Sequence, residues 1–391
     1  MSAPRPAVMK RLAVLGSTGS IGVQALKVAA AHPDRVRVVA LAAGRDLEAL
    51  ATQARRWQPE IVTLENALDP VAARTALSAA APRARLAIGA GAAAEAARDA
   101  DCDVVLNGIV GAAGLAPSLA ALERGRRLAL ANKETLVIGA TLVREALRHG
   151  GELVPVDSEH SAALQCMGGR PPTEVRRLTI TASGGALLRH PRWQEATARE
   201  VLAHPVWNMG PRITVDSALL FNKGLELIEA RALFDLAWSQ LDAVIHPDAR
   251  VHAWVEFVDG SVMAHAAAAD MRLPIALALS WPARWPDPDP LRLDRPLAGL
   301  EFLPIEAGQF PAYELACQAG RIGGTAPCAL NAADEVAVEA FLDGVIRLGQ
   351  VPEVIAHVLG AHRVEKVETL EQLREVDEWA REAARGMAVR S

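Results

Sequence analysis

Two carboxylates lie two residues apart in the segment Leu153–His160, where Asp157 and Glu159 follow a short apolar run. In an extended segment the side chains alternate between faces, so both carboxylates are expected to point to the same side. Converging oxygen ligands suit a hard divalent cation, with Mg²⁺ or Mn²⁺ as the default. An isolated Asp-x-Glu is more often a solvated acidic turn. The metal hypothesis therefore depends on the segments that accompany it.

A second polar segment, residues 216–226, contains a third carboxylate, Glu226. If the second half of this segment is helical, Asn222 and Glu226 lie one turn apart on one face, with Lys223 adjacent. Glu226 can then complete a metal site, while Ser217, Asn222 and Lys223 can hold a phosphate. The alternative is that Lys223 and Glu226 form an ordinary i,i+3 surface pair.

Three further segments have side chains suited to the same chemistry. Asn132-Lys133-Glu134 follows an apolar strand, at the edge of a parallel sheet where ligands bind. Ser183, followed by two glycines, offers a hydroxyl and flexible backbone donors for an anion. The segment His204–Gly210 has helix-breaking residues at both ends and includes Trp207, which suits a lid.

A glycine-rich turn, Gly16–Gly22, directly follows the first predicted strand and precedes a helix predicted to open at about Val23. Such a turn lets backbone N–H groups approach a pyrophosphate. The second strand ends before Arg45, whose cation can pair with a 2′-phosphate, whereas an acidic residue there would favour NAD. Asp46 follows one residue later and weakens this distinction. The pattern favours NADP(H), with a plain surface cation as the alternative for Arg45.

The elements that must position these residues follow from hydrophobic patterning. Up to residue 150, apolar runs alternate with helical stretches, which predicts a mostly parallel sheet. The predicted strands are Leu12–Leu15, Val36–Leu41, Ile61–Leu64, Leu86–Ile88, Val104–Leu106, Leu128–Ala131 and Leu153–Val156. An α+β region follows, with strands near Leu178–Thr181, Val251–Phe257 and Ser261–Ala267, and with helices near Ala196–Ala203 and Leu219–Leu233. Only helical periodicity remains from about Ala307 onward.

The predicted fold is α/β and has four parts. They are a Rossmann-like NADP-binding domain (1–152), an α+β catalytic and dimerisation domain (153–280), a proline-rich linker (281–305) and a C-terminal helical bundle domain (306–391). The net charge of −5 gives no reason to expect nucleic acid as a partner. Four cysteines without C-x-x-C spacing and no long apolar run predict a cytoplasmic protein that does not bind a membrane.

Taken together, the motifs resemble one family. The strings GSTGSIG, LANKE, VPVDSEH, TASGG, HPxWNMG, VDSAxxxNKGLE and LNAADE occur in order and are similar to those of 1-deoxy-D-xylulose 5-phosphate reductoisomerases. The resemblance implies a homodimeric enzyme that depends on NADPH and a divalent metal. It implies conversion of 1-deoxy-D-xylulose 5-phosphate into 2-C-methyl-D-erythritol 4-phosphate in non-mevalonate isoprenoid synthesis. It leaves open whether the carbon skeleton rearranges by retro-aldol cleavage or an α-ketol shift.

The resemblance also implies roles for individual residues. The cofactor would contact Thr18, Gly19, Ser20, Ile21, Gly44, Arg45, Asp46, Asn132, Glu134 and Gly210. The metal would be bound by Asp157, Glu159 and Glu226. The phosphorylated sugar would contact Lys133, Ser158, Glu159, Ser183, His204, Ser217, Asn222, Lys223 and Glu226, with Lys133 also a candidate for oxyanion stabilisation or proton transfer.

Several positions depart from the family pattern without removing a proposed metal ligand. Ala186-Leu187 stands where Pro-Phe is typical, Val206 where Asn or Thr is usual, Ala249 in place of a frequent Ser, and Asp334 in place of Asn. Two other functions are found on a similar fold. Another NADP-dependent dehydrogenase, of the homoserine or semialdehyde type, would not need three converging carboxylates. A non-enzymatic NADP-sensing protein would have no reason to keep Lys223 beside them.

Overall fold

The computed structural model describes residues 9–286, 290, 292–293 and 297–389. Its strands are β1 Lys10–Leu15, β2 Val36–Ala43, β3 Ile61–Leu64, β4 Arg85–Ile88, β5 Val104–Asn107, β6 Arg127–Leu130, β7 Glu152–Pro155, β8 Val175–Ala182, β9 Leu241–Ile245, β10 Val251–Phe257 and β11 Val262–Ala266.

The α-helices alternate with the first strands and dominate the last third of the chain. They are α1 Ser20–Ala31, α2 Leu47–Trp57, α3 Pro70–Ala80, α4 Ala92–Asp99, α5 Leu115–Glu123, α6 Glu134–Ala146, α7 Ser158–Met167, α8 Ala198–Val201, α9 Pro211–Ala218, α10 Phe221–Phe234, α11 Arg272–Ser280, α12 Pro311–Ile322, α13 Ala326–Leu342, α14 Gln350–Ala361 and α15 Leu370–Ala388.

The described residues group into two compact units. The first includes those of Met1–Asn132, Val143–Asp157 and Asp270–Leu291, and the second those of Lys133–Leu142, Ser158–Ala269 and Arg292–Ser391. The four-part division predicted above stays a prediction. Part of its linker, residues 287–289, 291 and 294–296, lies outside the described residues.

The first unit is built on a seven-stranded sheet in the order β4-β3-β2-β1-β5-β6-β7, in which every neighbouring pair is parallel. The strand order reverses at β1, between β2 and β5, and ligands of such sheets bind at the carboxyl ends of strands at this point. The central strands are apolar on both faces, because helices cover both sides. All seven predicted strands are confirmed to within two residues, and with them the α/β fold class.

The second unit has a four-stranded sheet in the order β11-β10-β8-β9, in which only the β8–β9 pair is parallel. Helices α7 and α10 pack on it through Ala163, Cys166, Leu227 and Ala230. Sequence patterning missed β9, a five-residue strand interrupted by Asp242, and α9, which begins at a proline and contains poor helix formers. The predicted C-terminal helical region is confirmed as α12–α15.

Candidate active site

Two carboxylates, Glu159 and Glu226, approach each other from different helices of the second unit. Glu159 lies in the first turn of α7 and Glu226 in the second turn of α10. Their carboxylate oxygens lie within 4.8 Å of one another, and Glu226 is only 2% exposed. Opposite oxygen ligands around Mg²⁺ are about 4.2 Å apart, because each bond is about 2.1 Å long. The donor set and its spacing therefore fit a hard divalent cation.

The extended geometry predicted to place Asp157 and Glu159 on one side is wrong, although the strand before them is confirmed. Strand β7 ends at Pro155 and α7 begins at Ser158, so Glu159 lies on a helix and the two-residue alternation does not apply to it. Asp157 ends the segment Val143–Asp157 of the first unit and directly precedes α7 in the chain. It follows the carboxyl end of a parallel strand, which is the end where ligands bind. Ser158 Oγ donates a hydrogen bond to Glu159 Oε2 at 2.6 Å.

Two lysines surround the carboxylate of Glu226. Lys133 Nζ donates to Glu226 Oε1 at 2.7 Å and to Asn222 Oδ1 at 2.6 Å. Lys223 Nζ donates to Glu226 Oε2 and lies 3.6 Å from Glu159 Oε1. Both lysine side chains are at most 8% exposed, so the charges must offset one another in a poorly solvated space. A metal ion bound by Glu226 has to share its oxygens with these ammonium groups or displace one.

The predicted helical register of the third segment is confirmed. Helix α10 begins at Phe221, and Asn222 Nδ2 donates to Glu226 Oε1 one turn further along. The helix is separated from α9 by Leu219 and Leu220, and the φ of 51° at Leu220 lies in the left-handed region. This sharp turn lets α9 and α10 both contribute side chains to the site.

A buried histidine, His160, lies behind Glu226. Its Nε2 atom lies 2.9 Å from the backbone oxygen of Glu226, and its Nδ1 atom lies 3.3 Å from Glu229 Oε2. His160 follows Glu159 on α7, so this contact links the helix that holds one carboxylate to the helix that holds the other. Sequence reasoning did not predict Glu229, because nothing in its spacing separates it from an ordinary helical glutamate.

The predicted anion cradle, Ser183 with its two glycines, lies next to His204. His204 Nδ1 accepts hydrogen bonds from the backbone N–H groups of Val206 and Trp207, at 3.1 and 2.9 Å. The proton of the neutral ring is therefore on Nε2, which lies 2.9 Å from Ser183 Oγ and donates to it. Because Ser183 Oγ accepts here, its own proton is available to an anion.

Ser217 is brought near this cradle by the close packing of Gly185. Gly185 has a φ of +66°, and a Cβ atom there would lie 2.8 Å from the backbone oxygen of Ser217 and 2.6 Å from the Cα of Ala218. Only glycine lets the turn approach the end of α9 this closely. Ser183, His204 and Ser217, three of the residues predicted to hold the phosphate, thus belong to one neighbourhood of the second unit.

His204 is expected to stay neutral at physiological pH, because burial lowers its pKa below the usual 6.5. A lowered folded-state pKa adds stability above pH 6.5 that is lost as the pH falls through the folded value. We therefore expect His204→Gln, which cannot titrate, to lose less thermal stability than the parent between pH 7 and pH 5. NMR titration of the ring checks this directly. A measured pKa at or above 6.5 would contradict it.

The glycine-rich turn of the first unit has the predicted geometry, although α1 begins at Ser20, three residues earlier than predicted. The N–H groups of Gly16 and Ser17 both donate to the backbone oxygen of Ala42 at 2.9 Å, which fixes the turn to β2. Gly19 and Ser20 are exposed at the helix N-terminus. The first N–H groups of a helix have no partner within it, so this end can receive a phosphate.

Residues Gly44–Asp46 follow β2 at the same edge of the sheet. Asp46 Oδ1 accepts from Ala49 N at 2.9 Å and caps α2. The carboxylate is thereby engaged by its own helix, and Arg45 is exposed. Asn132 has a structural role, since its Nδ2 donates to the backbone oxygens of Ile109 and Gly111 at 2.7 and 2.9 Å.

The remaining predicted cofactor residues, Glu134 and Gly210, belong to the second unit. Glu134 is the first residue of α6, and Gly210 is the exposed N-cap residue of α9. Arg212 Nη1 donates to Glu134 Oε1 at 3.1 Å. Sequence reasoning missed Arg212, because its partners come from three separate stretches of the chain. Among the residues that the structure describes, no helix has the length and apolar character needed to cross a membrane.

Family models match most of the chain. The model for 1-deoxy-D-xylulose 5-phosphate reductoisomerase matches residues 12–140. Two models for C-terminal domains of the same reductoisomerase match residues 153–234 and 267–383.

Individual proteins of the same name are similar over almost their full length. The chain is 48% identical to 1-deoxy-D-xylulose 5-phosphate reductoisomerase of Thermus thermophilus, over 97% of this chain and 100% of the relative. It is 46% identical to that of Kitasatospora griseola, over 96% of this chain and 100% of the relative.

Two solved structures have the same fold. A crystal structure of DOX-P reductoisomerase in complex with NADPH, fosmidomycin and magnesium has a TM-score of 0.91 and 36% identity, covering 97% of this chain and 98% of its own. The enzyme of Zymomonas mobilis in complex with NADPH has a TM-score of 0.88 and 36% identity, covering 97% and 99%. Motifs, fold and full-length similarity agree, and the chain belongs to the 1-deoxy-D-xylulose 5-phosphate reductoisomerase family.

Proposed function

We propose that the chain catalyses the NADPH- and metal-dependent conversion of 1-deoxy-D-xylulose 5-phosphate into 2-C-methyl-D-erythritol 4-phosphate, a step of isoprenoid precursor synthesis. The observation that carries the proposal is the pair of carboxylates, Glu159 and Glu226, held within 4.8 Å of one another beside Lys133 and Lys223. A simple dehydrogenase has no need for a divalent-cation site joined to two buried ammonium groups.

The proposed metal ligands are Asp157, Glu159 and Glu226, with Mg²⁺ or Mn²⁺ as the cation. Asp157 stands two residues before Glu159 in the chain, and all three offer hard oxygen donors. When bound, the cation would polarise the substrate carbonyl as a Lewis acid, and NADPH would supply a hydride.

The lysines have a second role in this proposal. Lys133 Nζ is held by Asn222 and Glu226, so its position is fixed before substrate arrives. A preorganised ammonium group stabilises negative charge that develops on a substrate oxygen, without the cost of reorganising solvent. We assign this role to Lys133, and substrate contacts to Ser158 and Lys223.

The phosphate of the substrate is assigned to Ser183, His204, Ser217, Asn222 and Lys223. The neutral His204 fixes the Ser183 hydroxyl, which leaves the serine proton free to donate to a phosphate oxygen. Contacts to a remote phosphate provide binding energy that can be used at the reacting carbons. Trp207, three residues after His204, is proposed to close over the substrate and exclude water.

The cofactor is proposed to lie along the carboxyl edge of the first sheet, with its pyrophosphate at Thr18–Ile21. Arg45 is exposed, whereas Asp46 is engaged as a helix cap, and this arrangement favours a 2′-phosphate and hence NADPH. Asn132, Glu134 and Gly210 are assigned to the other end of the cofactor. We further propose a cytoplasmic homodimer. The exposed apolar residues Val262 and Met263 on the edge strand β11 support self-association.

The test is NADPH oxidation, followed at 340 nm, with 1-deoxy-D-xylulose 5-phosphate and Mg²⁺, repeated with excess EDTA. We expect substrate-dependent oxidation that EDTA abolishes and added Mg²⁺ restores. Oxidation that is indifferent to EDTA would favour a dehydrogenase of another type. Binding of NADPH without any oxidation would favour a sensor.

A further inference from the structure

Arg212, near the start of α9, lies at the centre of a largely buried charge cluster in the second unit. Its side chain is 18% exposed. Its guanidinium group contacts Glu335 Oε1 at 2.9 Å, Asn331 Oδ1 at 3.0 Å, Glu134 Oε1 at 3.1 Å, Asp334 Oδ2 at 3.3 Å and Asp216 Oδ2 at 3.7 Å. These partners come from α6, α9 and α13, so one side chain fixes three helices.

The cluster has more acids than bases. A second guanidinium, Arg381 on α15, lies 2.5 Å from Glu335 Oε2 and 2.5 Å from Asp377 Oδ2. Five carboxyl groups therefore face two guanidinium groups. If all are ionised, the cluster has an excess of three negative charges. Lys133 is a further cation near Asp216. Such an excess is costly in a buried space, and protonation of a carboxyl group relieves it.

Two of the carboxyl groups, Asp216 and Asp334, are the natural site for that proton. Both are at most 4% exposed, and each has one oxygen without a hydrogen-bond partner among the described residues. Burial raises the pKa of Asp216 to about 7, and burial together with the charge of Asp216 raises the pKa of Asp334 well above its usual range. The pKa of Glu335 is lowered overall. Burial raises it, but the positive charges of Arg212 and Arg381 lower it by more.

The cluster also adjoins the proposed site. Glu134 directly follows Lys133 in the chain, and α9 directly follows the segment His204–Gly210. Glu134 receives a hydrogen bond from the same nitrogen, Nη1, that binds Glu335. The orientation of the Glu134 carboxylate is therefore set by a group that α13 holds in place.

We propose that Arg212 is a positioning residue for Glu134, and that a proton retained by the Asp216–Asp334 pair keeps its guanidinium group available for that contact. The positioning role of Arg212 rests on the proposed function, because that proposal assigns Glu134 to the cofactor. If both aspartates ionise, they compete with Glu134 for the one guanidinium group. Cofactor binding then weakens as the pair loses its proton.

The first test measures the dissociation constant of NADPH by fluorescence at pH 6.5 for the parent, Arg212→Met and Arg212→Lys. Loss of one charge-assisted hydrogen bond typically changes an equilibrium about tenfold, and we expect Arg212→Met to weaken binding by that factor. Arg212→Lys should recover part of the lost NADPH affinity, because lysine keeps the positive charge but lacks the forked set of donors of arginine. Arg374→Met, which removes an exposed arginine from α15, should leave binding unchanged.

The second test uses Asp334→Asn across pH 5–8.5. A raised folded-state pKa contributes stability that is complete below the unfolded value near 3.9 and is lost as the pH rises through the folded value. The parent should thus lose thermal stability progressively from about pH 4 to about pH 7 and lose NADPH affinity as the pH passes about 7, and Asp334→Asn should flatten both profiles. The difference in melting temperature between the variant and the parent should be smallest at pH 5 and reach its full size above about pH 7, since a protonated Asp and an Asn have similar shapes and charges.

Several results would overturn the inference. Arg212→Met that melts earlier but binds NADPH like the parent would show a purely structural ion pair. If Asp334→Asn had the same pH profiles as the parent, a proton on the Asp216–Asp334 pair would not control stability or NADPH affinity. A parent that binds NADPH but does not oxidise it with the sugar phosphate contradicts the proposed function and leaves both tests of the cluster valid. A parent that does not bind NADPH overturns the assignment of Glu134 as well.

Discussion

Glu226→Gln is expected to lower kcat/KM for 1-deoxy-D-xylulose 5-phosphate by about 10³-fold, the scale of losing one preorganised electrostatic group in an active site. It is also expected to weaken Mg²⁺ binding measured by calorimetry. The carboxylate accepts hydrogen bonds from Lys133, Asn222 and Lys223, so the amide removes a metal ligand and leaves two buried ammonium groups near each other.

Loss of stability has to be separated from loss of function in this variant. Removing one partner of a buried ion pair typically costs about 3–5 kcal/mol, so thermal melting must accompany the kinetics. Glu226→Asp keeps the charge but withdraws it by one methylene, and should melt near the parent while still losing activity and Mg²⁺ affinity. Glu371→Gln, on the exposed face of α15, is the matched control and should change neither. Full activity and Mg²⁺ affinity in Glu226→Gln would remove Glu226 from the metal site.

The fold of the first unit could be predicted because its strands are buried on both faces. Runs such as Val36–Ala43 and Val104–Asn107 are continuous, apolar and bounded by polar turns. Such runs separated by helical stretches have few other solutions than a parallel sheet. Sequence patterning did not predict α9, because Asp216 and Ser217 lower its helix propensity. Tertiary contacts of Arg212, such as that with Glu335, stabilise this helix instead.

The candidate site shows what spacing can and cannot predict. The four-residue interval between Asn222 and Glu226 is enough to place both on one helical face, and this was confirmed. The contact of Lys133 with Glu226 joins residues 93 positions apart, and no local pattern predicts it. An extended geometry would put Asp157 and Glu159 on the same side, but the start of α7 at Ser158 rules that geometry out. The proposed metal-binding role of Asp157 and Glu159 therefore depends on the positions at which β7 ends and α7 begins.

The largest expected effect on the first unit comes from Gly22→Ala. Alanine normally stabilises a helix relative to glycine, and Gly22 lies in the first turn of α1. Here a Cβ atom would fall on the backbone oxygen of Gly16 and lie 2.6 Å from the carbonyl carbon of Ser17. Neither backbone atom can move without breaking the hydrogen bonds of the turn to Ala42. We expect a loss of about 3 kcal/mol in the free energy of unfolding, at the upper end for overpacking, measured by urea denaturation.

Gly360→Ala in α14 provides the control, because a Cβ atom at Gly360 meets nothing within 4 Å. There the helix propensity alone should act and stabilise the protein by about 0.5 kcal/mol. Both substitutions replace a helical glycine by alanine. Opposite changes in the free energy of unfolding would therefore isolate the effect of the close approach of α1 to the Gly16–Ser17 turn. That approach is what brings the exposed N–H groups of α1 to the carboxyl edge of β1, and Gly22→Ala should therefore also weaken NADPH binding in the folded protein. If Gly22→Ala were as stable as the parent and bound NADPH equally well, the turn would not need its glycine and the proposed pyrophosphate site would lose its structural basis.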